Sequence, residues 1–299
     1  MLTMERFKEE VIKAFKTIFG SEYTVEEKTV QNNNGVEMNG LVIRDMAINV
    51  APVIYIEELY DDYKNGDSIE YLVDSVMKKI RKENAVLALN YSEFMDYEKA
   101  KDKITIQLIN YEKNTEVLKG LPYKKFLDMA VVFRLFLGEN DGNIISSQVT
   151  ESFMSTWGVS IEEIYDQAVK NSERLLPVYV ESLEKILFDC DEEDGFGTGL
   201  YLLSNKFGIN GAGAILYTDE MRTLSERFDT DLIILPSSVH EVLLRRHDES
   251  MDMEYLKEMV RSINATEVPE KDVLSDNIYI YRKDKAVIEM VSTAYTAAA

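Results

Sequence analysis

The amino-acid sequence predicts an α+β fold of mixed, largely antiparallel sheets with packed helices, arranged as two lobes. Three observations carry that expectation. Helical and strand periodicities interleave along the chain, turn signals between neighbouring strands argue for hairpins over parallel crossovers, and acidic charge is concentrated in the second half. Apolar residues make up 45% and charged residues 29% of the 299 positions, a globular balance that sets aside collagen-like and disordered chains.

The elements follow in order. Phe7, Val11, Phe15 and Ile18 recur at helical spacing, and Gly20 ends that run. Tyr23 to Val30 reads as a strand, Asn34-Gly35 as a hairpin turn, and Leu41-Val42-Ile43 as its return. Val53 to Ile56 is a short apolar run. Asp67 with Glu70 marks a helix start, and Ile69, Leu72, Val73, Val76 and Ile80 form its apolar stripe. Ile104 to Ile109 alternates like a half-buried strand; Phe126 to Leu137 reads as a buried one. Asp141-Gly142-Asn143 then turns the chain into Ile144 to Val149. Ser160 and Glu163 spell a capping box for a helix to about Asn171.

Asp189 to Gly199 reads as a linker, rich in acids and then glycine. Beyond it lie strands at Leu200 to Leu203 and Leu232 to Leu235, the second stopped by Pro236, and a further apolar run at Val242 to Leu244. Helices follow from Met221, Leu224 and Phe228, and from Met253, Leu256, Val260 and Ile263. Ile278 to Tyr281 with Ala286 to Met290 suggests a closing hairpin. Residues 1–140 carry 19 basic and 24 acidic side chains, residues 141–299 carry 14 and 30. That asymmetry places the expected lobes at 1–142 and 143–299.

Lys and Arg number 33 against 54 Asp and Glu, a net charge of −21. Nucleic-acid grooves and polybasic membrane patches need clustered cations, so neither partner is expected. Cys190 stands alone among acids, which disfavours both a disulfide and a reactive thiolate. With no signal-like leader and no 18-residue apolar stretch, the expected location is the cytoplasm.

Motifs for chemistry are sparse. His240-Glu241 lacks the second histidine four residues on that a zinc site of that type needs, and only His247 remains. No phosphate-binding glycine loop is present, and the acids around Cys190 miss the glycine and glutamate of a calcium loop. No metal or cofactor is therefore expected. Pro236-Ser237-Ser238-Val239-His240-Glu241 follows a strong strand, where α/β sites often lie. A hydrolase would draw on Ser237, Ser238, His240, Glu241 and Asn205, whereas a turn after Pro236 explains the same serines. Tyr55, Tyr60 and Tyr63 among acids offer a binding surface or a solvated helix face.

Several stretches together carry a resemblance: Asn33-Asn34-Gly35, Ala51-Pro52-Val53-Ile54-Tyr55, Leu127-Asp128-Met129-Ala130-Val131, Trp157-Gly158-Val159, Leu203-Ser204-Asn205-Lys206 and Leu235-Pro236-Ser237-Ser238-Val239-His240. In this order they resemble an uncharacterised Firmicutes family, domain of unknown function 5688. The C-terminal half is also similar, more loosely, to domain of unknown function 1444. The first resemblance implies an accessory protein of mobile elements and carries no established catalytic residues. The expected function is thus a non-enzymatic interaction or regulatory protein whose acidic surface takes a basic protein partner, with a hydrolase as the alternative.

Overall fold

The chain divides into two units, Met1–Phe94 and Met95–Ala299. The computed structural model describes residues 1–20, 23–45, 53–140, 142–188 and 199–292, with backbone alone for 19, 45, 82–92, 140 and 143. In the first unit, helix α1 (Met4–Phe19) buries Phe7, Val11 and Phe15, as their spacing predicts. Strands β1 (Tyr23–Gln31) and β2 (Glu37–Asp45) pair antiparallel, and β3 (Val53–Tyr55) adds to the far side of β2. Asn34 supplies the positive φ of +60° that the tight turn requires. A Cβ on Gly40 would lie 2.5 Å from Val53 Cγ1, so only glycine lets the two outer strands flank β2 there.

Helices α2 (Ile56–Lys64) and α3 (Ile69–Phe94) complete that unit. The cap of α3 is Ser68, whose Oγ accepts from the Tyr71 N–H at 3.2 Å, one residue later than the expected Asp67. Leu72, Val73, Met77 and Ile80 pack with Leu41, Ile43 and the face of α1 into one core.

The second unit carries α4 (Tyr97–Ala100), β4 (Ile104–Asn110), α5 (Thr115–Leu118), β5 (Tyr123–Phe126), β6 (Met129–Asn140) and β7 (Asn143–Gln148). β6 pairs with β4 along one edge, and with β5 and then β7 along the other. The expected lobe boundary at 142/143 therefore falls inside the β6–β7 hairpin. Charge density follows surface composition, whereas the division of the chain follows contacts, and these place it at 94/95. β4 is also more deeply packed than its alternation predicts: both faces are largely buried, one of them beneath a helix.

Next come α6 (Glu151–Trp157), α7 (Ile161–Leu175), β8 (Val178–Ser182), α8 (Leu183–Phe188) and β9 (Leu200–Asn205). The capping box of α7 is present: Ser160 Oγ accepts from the Glu163 N–H, and the Glu163 carboxylate accepts from the Ser160 N–H. After a 3-10 turn at Gly211–Leu216 follow α9 (Thr218–Phe228), β10 (Leu232–Leu235), β11 (Val242–Arg246), α10 (Met253–Thr266), β12 (Tyr279–Arg282) and β13 (Val287–Met290). A second sheet of six strands runs in the order β13-β12-β10-β11-β9-β8. Every pairing among the described strands is antiparallel, which sharpens the α+β expectation. Leu256 and Val260 of α10 cover Ile233, Leu235 and Ile280 of the six-stranded sheet.

A polar knot helps to join the two sheets of this unit. β5 and β6 are linked by Leu127 and Asp128 alone, with Leu127 held at a φ of +57°. That turn presents Asp128 to the start of β12, where its carboxylate accepts from Ser275 Oγ at 2.7 Å, Asn277 Nδ2 at 3.0 Å and the Tyr279 hydroxyl. Burial, followed by the facing Asp128 charge, pushes the Tyr279 hydroxyl far above the usual tyrosine range, so it remains a donor. Cys190 and most of the expected linker lie outside the described residues.

Candidate functional site

The segment after Pro236 folds as a junction between β10, β11 and the turn that follows β9. Ser238 bridges to Val273, and the Val239 N–H donates to the Asp272 carbonyl at 2.8 Å. Ser238 Oγ accepts from the N–H of His240 at 3.0 Å, a local turn bond of the kind serine makes after proline. Ser204 Oγ donates to the His240 carbonyl at 2.8 Å. Gly211 is pressed into the same place, where a Cβ would stand 2.1 Å from Ser204 Oγ and 2.6 Å from the His240 carbonyl. Asn205 closes its own turn, accepting from the Phe207 N–H and donating to the Ile209 carbonyl.

The imidazole of His240 is engaged on both sides. Nδ1 accepts from the Asn210 N–H at 3.2 Å, which puts the proton of the neutral ring on Nε2. Nε2 stands 3.3 Å from Asp272 Oδ1. The structure thus brings His240 to a carboxylate, and that carboxylate is Asp272 rather than the adjacent Glu241. Among the described residues no serine hydroxyl bonds to the ring: Ser238 addresses the backbone, and Ser237 donates its own N–H to the Leu235 carbonyl. A nucleophile–base pair needs a hydroxyl within reach of a ring nitrogen that can take its proton. Here the nitrogen with the free lone pair already holds a backbone amide. The arrangement orients a turn.

The tyrosines of the first unit also serve the fold. Tyr60 donates to the Leu2 carbonyl at 2.9 Å, and Tyr63 accepts from the Leu2 N–H at 3.1 Å. Both rings pack on Phe7, at centroid distances of 5.2 and 5.0 Å. Tyr55 is half-buried at the start of α2. The pair at 60 and 63 fastens the N-terminus to α2.

A shallow concavity of about 610 Å³ lies beside the β12–β13 hairpin, where Arg282 pairs with Asp231 and Glu289, and Lys283 with Asp229. Among the described residues no group of three or more His, Cys, Asp or Glu is placed to hold a metal ion, and no helix is long and apolar enough to cross a membrane.

A family model of unknown function, DUF5688, matches residues 4–283. The chain belongs to that family. No curated protein and no solved structure matches it. The surface of this DUF5688 chain carries an exposed apolar helix at the edge of the six-stranded sheet. Helix α8, Leu183-Glu184-Lys185-Ile186-Leu187-Phe188, buries none of its residues. Ile186, Leu187 and Phe188 are 44%, 66% and 70% exposed. β8 precedes it as the last strand of the six-stranded sheet, with Tyr179 exposed. The available signal was an apolar run abutting acids: Asp189, Asp191, Glu192, Glu193 and Asp194 follow Phe188 directly.

Proposed function

We propose that this DUF5688 protein is a non-enzymatic interaction protein that binds a basic protein partner along β8 and α8. The exposure of Ile186 and Leu187 carries the reading. Exposed large apolar side chains are ordinary singly, whereas consecutive ones beside an open strand edge mark an interaction surface. The five acids that follow in sequence give the partner its sign, because clustered negative charge steers and selects cationic partners. An extended, Lys- or Arg-bearing segment with one or two apolar anchors suits both features, adding a strand to β8 while its anchors cover α8.

The test is parallel capture with the wild-type chain and with Leu187→Asp. The reading expects a basic protein held by the wild type, lost from the variant and released by high salt. The same proteins held by both chains would contradict it. His240→Ala serves as the internal comparison, since the reading expects capture to be unchanged in it.

A further inference from the structure

The second unit holds a second unexplained feature, independent of α8. Arg134 lies on β6, the central strand of its sheet, directly opposite Thr105 of β4 and Gln148 of β7. Its guanidinium donates to Ser146 Oγ at 2.9 Å, Gln148 Oε1 at 3.2 Å, Gln107 Oε1 at 3.4 Å and the Ser146 carbonyl at 3.4 Å. Every one of those acceptors is neutral. Among the described residues no carboxylate pairs with it, in a chain with 54 acids against 33 bases. Arg282 shows the usual solution in the same unit, held by Asp231 and Glu289.

The two arginines respond oppositely. Hydrogen bonds donated to Asp231 and Glu289 raise Arg282 above the ordinary arginine range, while burial lowers Arg134 with nothing to offset it. A desolvated cation without a counter-charge is costly, and a bound anion would supply the missing charge. Access exists as well: Gln107, Arg134, Ser146 and Gln148 are each only half-buried, so the group is recessed rather than sealed.

We propose that Arg134, with Gln107, Ser146 and Gln148, forms a binding site for a small phosphoryl-type oxyanion at a polar patch on this sheet. The donors converge from β4, β6 and β7, so they can meet several oxygens of a tetrahedral anion. The guanidinium fork supplies two donors in one plane. Two of its present bonds, at 3.4 Å, are long enough to yield to stronger charged acceptors. The Gln107 amide nitrogen and the Ser146 hydroxyl proton add donors from either side.

The experiment is a titration of the full chain with inorganic phosphate at ionic strength held constant by chloride, read by calorimetry and by the thermal midpoint. The site predicts saturable heat and a midpoint that rises with phosphate and reaches a plateau. Arg134→Lys keeps the charge and loses the planar fork, so its affinity falls about tenfold or more. Gln107→Ala, which leaves the arginine in place, falls several-fold and guards against a folding defect at position 134. Acetate in place of phosphate should give a weaker response; an equal or stronger one overturns the phosphoryl assignment. A wild-type chain that shows no saturable response, or variants that bind as tightly as wild type, would overturn the site and leave Arg134 a structural strut.

Discussion

β4 and β8 are both edge strands of the second unit, and the chain treats them in opposite ways. At β4 the N–H of Ile106 donates to Ser172 Oγ at 2.9 Å, and Asn171 Nδ2 reaches the carbonyls of Lys101 and Ile104 at 2.7 and 2.9 Å. Those two side chains come from α7, whose Ile164 and Ala168 are buried. The edge is thus stitched and its faces are covered. At β8 no described strand lies beyond the edge, and the helix that follows buries nothing. An open edge is a template for pairing, and proteins usually blunt it. This one is left beside three exposed apolar residues. The contrast is between an edge closed by side chains of α7 and one that, among the described strands, stands open beside an exposed α8.

The largest effect should come from undoing the closed edge. Ile164→Ala removes a fully buried side chain from α7 and should destabilise the protein by about 2–4 kcal/mol in chemical denaturation. Tyr279→Phe should cost about 1–3 kcal/mol, because it strips Asp128 of a buried donor where the two sheets meet. Next is acid sensitivity at the β12–β13 hairpin. Burial works to raise the Asp231 carboxyl, but the Lys283 N–H and the Arg282 guanidinium outweigh it and hold the group below the usual range. A depressed folded value adds stability above the unfolded value of 3.8 that is lost as pH falls below it. Asp231→Asn should therefore lower stability by roughly 1 kcal/mol at neutral pH and flatten its fall below about pH 4. The smallest effect belongs to the open edge. Leu187→Asp should shift stability by less than about 0.5 kcal/mol, because nothing in the described fold packs over that side chain. A loss as large as that of Ile164→Ala would erase the contrast between the two edges.

What the sequence disclosed follows the range over which each feature is written. The box at Ser160 and Glu163, the stop at Pro236 and the turn at Asn34 are local, and all stand where their chemistry requires. Features set by distant partners were not legible. His240 meets Asp272, 32 positions on, because two loops cross there, and nothing near His240 in sequence points to that residue. β5, Tyr123-Lys124-Lys125-Phe126, carries two lysines in its centre and has no apolar alternation to announce it. β8 and α8 fell between two readable helical and acidic stretches. Whether an edge is covered depends on Asn171 and Ser172 of another element, which no periodicity records.

The most direct test is amide hydrogen exchange on the full chain, alone and with any basic protein that the wild-type chain captures. Alone, the Ile106 amide should be strongly protected and the outward amides of Val178–Ser182 should exchange quickly. With partner bound, new protection should appear across β8 and α8 and leave the His240 junction unchanged. Protection that gathers at the His240 junction, or that leaves β8 as fast as before, would contradict the account.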